Sequence, residues 1–153
     1  MRIESPRFGP IDVDEDKVIR FPRGLPGFPD CTGFIVMDHD TETPLKWLQC
    51  VDRPEVAFLA VEPEQIMVSY GLEIPEPVLA FLGWKSDTGD PRDVAIFVIL
   101  TVDGSNLSAN LRAPVVVNVK NRRAQQMILD DPEIPLQHPV VPDPEAEQKR
   151  EAG

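Results

Sequence analysis

Val94 to Val102 reads VAIFVILTV, nine residues without a charge, and it ends at the turn pair Asp103-Gly104. β-Branched enrichment, length and that turn make it a strand. With apolar side chains on both faces it must be covered on both sides. Left as a flat exposed edge it would recruit other chains, so neighbouring strands have to close around it. The expectation is a mainly β fold: an antiparallel β-barrel-like single domain with one short helix.

Working outward, the same style repeats. Phe8 to Val13 alternates imperfectly, and Val18 to Phe21 follows it. Phe34 to Met37 and Val56 to Val61 are near-continuous apolar runs, while Leu45 to Cys50 is entered through Pro44 and left through Asp52-Arg53-Pro54. Downstream, Ala113 to Val119 and Gln126 to Leu129 read as two more strands, paired across the turn at Lys120-Asn121-Arg122. Pro75 to Trp84 (PEPVLAFLGW) reads as about two helical turns. There Pro77 sits near the first helical position, Val78, Leu79 and Leu82 share a face, and Gly83 supplies the stop. At 153 residues and 42% hydrophobic content, one core is expected. The domain is placed at 1–139, and 140–153, which has no aromatic residue, as a flexible acidic tail.

Phe21 to Asp30 (FPRGLPGFPD) packs three prolines and two glycines around Phe21, Leu25 and Phe28. Such a stretch is a turn, neither helix nor central strand. Ordinary turns do not need three large apolar side chains. In the favoured reading they fold back and plug one end of the barrel; in the other they form an exposed anchor for a partner. Gly24 and Gly27 supply backbone angles closed to other residues.

Net charge is −11, with 15 acidic against 7 basic residues in 1–77 and 11 against 8 in 78–153. Such a surface repels phosphates and anionic lipid, so neither direct nucleic-acid binding nor a membrane is expected. It attracts a basic protein. Cys31 and Cys50 lack a CxxC partner, which argues against zinc. Without a signal-like apolar core at the start or a run approaching 18 apolar residues, the expected location is cytoplasmic, with both thiols reduced.

No catalytic constellation emerges. The GxxxxGK[ST], GxGxxG and GxSxG patterns are missing, and His39 and His138 begin no metal-binding spacing. Asp12-Val13-Asp14-Glu15-Asp16 has the DxDxD start of a calcium loop, but Lys17 stands where Gly is required and Arg23 where Glu is required. It reads as a solvated turn; as a site, Asp12, Asp14, Glu15 and Asp16 would meet a basic partner. Lys120, Arg122 and Arg123 cluster with no aromatic residue beside them in sequence, a weak nucleic-acid signal. No cofactor, metal or catalytic residue is expected.

Five stretches together resemble one family. Ile19 to Phe28 (IRFPRGLPGF) is similar to an FPxGLPGF signature. Pro44 to Gln49 with Asp52 to Phe58 resembles PFxWLQS…DPxxAF, and Ser108 to Asn118 (SANLRAPVVVN) resembles TxNLxAPIVIN. Arg123 to Leu129 and Leu136 to Pro139 resemble closing RxxxQxIL and YxLRHPL elements. In this order and spacing, from about Ile3 to Pro139, they resemble the FliW flagellar assembly factors of bacteria. Cys50 for Ser, Ser108 for Thr and Ile134-Pro135 for Tyr-Pro are departures.

The resemblance implies a cytoplasmic, non-catalytic regulator. Such a protein binds flagellin and, when free of it, the RNA-binding translational regulator CsrA, so relieving repression of flagellin synthesis. Candidate contacts beside the acidic turn and Phe21, Leu25 and Phe28 are Trp47, Gln49, Asn110, Asn118 and Arg123. For Trp47 a core role, and for Asn110 and Asn118 backbone capping at strand ends, are the plainer readings. The alternative function is a small-ligand-binding or enzymatic β-barrel, with Trp47 and His39 near a pocket.

Overall fold

The computed structural model describes residues 1–38, 44–66, 74–85, 89–103 and 106–140. Its strands are β1 (Arg2–Ser5), β2 (Gly9–Asp12), β3 (Ile19–Arg20), β4 (Gly33–Asp38), β5 (Lys46–Cys50) and β6 (Ala57–Val61). These are followed by β7 (Val94–Asp103), β8 (Asn106–Ala109), β9 (Val115–Asn118), β10 (Arg123–Gln126) and β11 (His138–Pro139), with one α-helix, α1 (Glu76–Phe81).

The uncharged run is the keystone. β7 pairs with β9 along 94–97, with β6 along 98–100 and with β8 along 100–103. Pairing therefore runs in a ring, β7-β6-β5-β4-β3-β10-β9 and back to β7, with β8 and β11 branching off it. Each residue of β7 thus has a strand partner on at least one side, and Leu100 on both. All these pairings are antiparallel except β3 with β10, which run parallel and meet at Arg20 and Arg123. The β1–β2 hairpin forms a separate two-stranded sheet.

Two clusters cover the two faces of β7. Phe97 points into the barrel with Phe34, Leu48, Cys50, Val115 and Val117. Val98 and Leu100 pack the other way, with Leu59, Val61, Leu111 and Val140. Period-2 alternation thus explains why VAIFVILTV carries apolar side chains on both faces, Thr101 near its end excepted. On the outer face of β9 and β10, α1 lays Leu82 over Val116 and Met127, with Val78 and Phe81 alongside. Gly83 ends the helix at φ +76.

Three strands were hidden from sequence reading. β1 interleaves exposed Arg2 and Glu4 with buried Ile3 and Ser5, so its apolar content is low. β8 and β11 are short and exist through each other, His138 opposite Ala109 and Pro139 opposite Ser108. The strand expected at Gln126 to Leu129 lies at Arg123–Gln126 instead, paired with β9 as anticipated. Two side chains tighten the hairpin turn: Lys120 N–H donates to Asn118 Oδ1 and Arg123 N–H to Asn121 Oδ1. With Arg122 at φ 61, the chain turns back at once and a polar segment becomes the strand. His39, Gly104 and residues 141–153 lie outside the described residues, so the pocket histidine, the Asp103-Gly104 turn and the tail beyond Val140 are not addressed by the structure.

Candidate partner-binding surface

The Phe21–Asp30 turn is part of the core. Phe21 and Leu25 are buried in the barrel, and Phe28 packs against the same cluster. Phe21 meets Phe34 edge-on at 5.1 Å between centroids, Phe34 lies 6.1 Å from Phe58, and Phe28 meets Phe58 edge-on at 5.3 Å. Both ends of the turn are thereby tied to one row of rings. Its backbone is closed by Gly24 N–H to Phe21 O at 2.8 Å and Phe28 N–H to Leu25 O at 2.7 Å. Gly24 sits at φ +66 where an added Cβ would lie 2.7 Å from Pro29 O; Gly27, at φ +83, has open space.

Gln49 and Asn118 also face inward. Gln49 is fully buried, and its Nε2 donates to Cys50 O (2.9 Å), Pro54 O (2.8 Å) and Val56 O (3.3 Å). Ser5 Oγ donates to Gln49 Oε1 at 3.3 Å, which pins the β1–β2 hairpin to β5. Asn118 Nδ2 donates to Leu82 O at 3.0 Å, and Asn121 Nδ2 to the same oxygen at 2.9 Å, so both cap the end of α1. Asn110 is half-buried; its Oδ1 accepts from Arg112 N–H. Trp47 is half-buried between the edge of Phe8, at 5.6 Å, and the Arg7 guanidinium, at 4.7 Å.

The exposed candidates fall into two groups of opposite charge. Asp12, Asp14, Glu15 and Asp16 are exposed on the β2–β3 connection, in and before a 3-10 turn whose cap is Asp14 Oδ1, accepting from Asp16 N–H at 3.0 Å. None of the four forms an ion pair among the described residues. At the β3–β10 corner, Arg123 stacks on the Phe81 ring at 4.6 Å and Arg23 on the same ring at 4.3 Å. The aromatic partner missing from sequence around Arg123 is thus supplied by α1, a long-range contact with no local signal. Arg20 stands beside Arg123 in the parallel pair.

A cleft of about 340 Å³ lies between the turn and β10, with Arg23, Leu25, Pro26, Gln125 and Gln126 on its walls. A second, of about 280 Å³, shares Leu25, Pro26 and Gln126 and continues to Phe28, Phe58 and Ile128. Burial, followed by the neighbouring Cys50, pushes the Cys31 thiol up to about 12, so it is protonated and unreactive at neutral pH. Elsewhere the Arg53 guanidinium is hydrogen-bonded to Glu55, whose carboxyl is held below the usual carboxylate range by backbone hydrogen bonding and then by Arg53. Among the described residues, no three His, Cys, Asp or Glu converge as metal ligands. No helix among them is long and apolar enough to cross a membrane.

A closed ring of strands with an apolar plug, a helix laid outside and segregated charge defines a small β-barrel-like protein. The chain belongs to the FliW family: the family model described as FliW protein matches residues 2–140. The flagellar assembly factor FliW of Caldanaerobacter subterraneus subsp. tengcongensis is 34% identical over 92% of this chain and 93% of its own. That of Azoarcus sp. (strain BH72) is 38% identical over 85% and 92%. A crystal structure of the flagellar assembly factor FliW superposes with a TM-score of 0.81 at 32% identity, covering 93% of this chain and 98% of that one.

Proposed function

We propose that this chain is a cytoplasmic, non-catalytic flagellar assembly factor that binds flagellin and, when free of it, binds and antagonises CsrA. Family membership supports flagellar assembly. The observation that carries the CsrA half is the exposed acidic turn Asp12–Asp16, without an ion pair among the described residues, on a chain of net charge −11. CsrA-type regulators hold RNA on basic surfaces, and an acidic protein docked there repels phosphate or occupies the basic surface itself. Two mutually exclusive equilibria then couple flagellin supply to its synthesis. The domain carries both; Val140 packs into the cluster of Leu100 and Leu111, so the proposed tail begins at 141 rather than 140.

The test is a titration with flagellin and CsrA from the same organism, each competed against the other, with a flagellin-leader RNA shift assay in parallel. Binding of both at about micromolar concentrations, mutual displacement and release of the RNA are expected. Absence of binding to either partner contradicts the switch.

A further inference from the structure

The two clefts beside the plug form one groove whose two ends differ in chemistry. At one end Arg23 lines the cleft and stacks on Phe81, whose ring also carries Arg123 just outside it, while the Arg20 guanidinium lies apart, over Gly33 of β4. Four arginines elsewhere meet oxygen acceptors, Arg53 at Asp30 and Glu55, Arg92 at Asp90, Arg2 at Glu4 and Arg112 at the carbonyls of Pro132 and Ile134, while Arg7 stacks on Trp47. Arg20, Arg23 and Arg123 have no carboxylate partner among the described residues, although the chain is strongly acidic. Stacking on a ring holds a guanidinium in place while leaving its N–H fork free for a carboxylate.

At the other end the groove turns apolar, with Phe28, Phe58 and Ile99 on its walls and Ile128 69% exposed at its rim. Between the ends runs a strand edge. β3 pairs with β10 at Arg123 alone before leaving into the turn. Met127 N–H donates to Pro114 O on the β9 side at 2.8 Å, so alternation turns the N–H and C=O of Gln126 toward the groove. Among the described residues no strand pairs with that edge beyond Arg123. Gln125, also on the wall, leaves its Oε1 buried without a hydrogen-bond partner.

We propose that this groove docks an extended peptide segment of a partner protein, laid along the open edge of β10. Its carboxylate side chains sit at the Arg23–Arg123 end and an apolar side chain sits by Ile128. Backbone pairing supplies affinity and the two ends supply direction, the mode by which sheet edges take up strands. Charge decides the class of occupant. Two arginines suit one or two carboxylates, whereas a polyphosphate strand brings many more charges against the −11 surface than two guanidinia offset.

The probes are two fluorescein-labelled octapeptides, one with Glu-Asp at its N-terminal end and Val-Leu at its C-terminal end, the other in reverse order. One order binds the full chain with a Kd of about 100 µM by anisotropy. Arg23→Glu with Arg123→Glu weakens it roughly tenfold, and a peptide with lysines in place of the acids does not bind. Ile128→Asp, at an exposed position that keeps the fold, weakens it by about fivefold and preserves the test if the arginine variants misfold. Failure of both orders to bind, or equal binding to wild type and both variants, overturns the groove. Stronger competition by a single-stranded oligonucleotide, or by a peptide of residues 141–153, overturns the assignment to a partner's peptide. The probes are synthetic, so failure here leaves the flagellin and CsrA titrations unaffected.

Discussion

The connections on either side of β3 make an instructive pair. Between the buried Val13 and Val18, Asp14 to Lys17 is exposed, held by the Asp14 cap and two short-range backbone hydrogen bonds, and contributes no buried residue of its own. Phe21 to Asp30 is denser in proline and glycine, yet Phe21 and Leu25 lie in the barrel and four aromatic rings link its ends. Proline and glycine make a segment a turn; its apolar side chains decide whether the turn is surface or core. One connection presents only charge, while the other buries Phe21 and Leu25 in the core and turns Arg23 and Pro26 to the groove.

Truncating the plug should do the most damage. Phe21→Ala, at 1% exposure, is expected to lower unfolding free energy by roughly 3–5 kcal/mol in urea titrations. The glycines within that turn separate backbone from space. Gly24→Ala meets both a positive φ and Pro29 O, and should cost about 2–4 kcal/mol. Gly27→Ala meets only the φ, and should cost about 1–2 kcal/mol. Asp14→Ala, across β3, should stay within about 1 kcal/mol, since it removes one exposed cap. If Asp14→Ala proved as damaging as Phe21→Ala, the contrast between the two connections would collapse.

The plug's neighbour Cys31 sharpens the contrast in a different observable. Its thiol is raised from an ordinary 9.0 to about 12, so the folded state holds its proton longer than the unfolded state does. Stability from this group is fully present below about pH 9 and is lost as pH climbs toward 12. Alkylation by iodoacetamide at pH 8 should therefore be slow in the native protein and rapid in urea. Fast native alkylation would mean that the plug opens.

How much of this was legible in sequence follows from the range of the interactions. β7, the apolar runs of β4 to β6, the α1 stop at Gly83 and the core role of Phe21 and Leu25 rest on local pattern, and the sequence shows them. The position of β10 does not, because Arg123, Gln125 and Gln126 are polar and two asparagine-closed turns set where the strand begins. Sequence offers Gln49 as a candidate contact, yet its three backbone acceptors and Ser5 come from the 54–56 loop, its own strand end and a strand 44 residues away. The pairing of Arg23 and Arg123 through Phe81 joins three segments, and no window of sequence contains it.

The most direct measurement is CsrA binding by a variant in which Asp12, Asp14 and Asp16 become Asn and Glu15 becomes Gln. It should be made at low and physiological salt, with the urea midpoint recorded on the same samples. The account predicts an unchanged midpoint, roughly tenfold weaker binding at low salt, and a smaller salt dependence than the parent. Parent-like affinity and salt dependence in a folded variant would contradict it, because the acidic turn would then not be the face that CsrA meets.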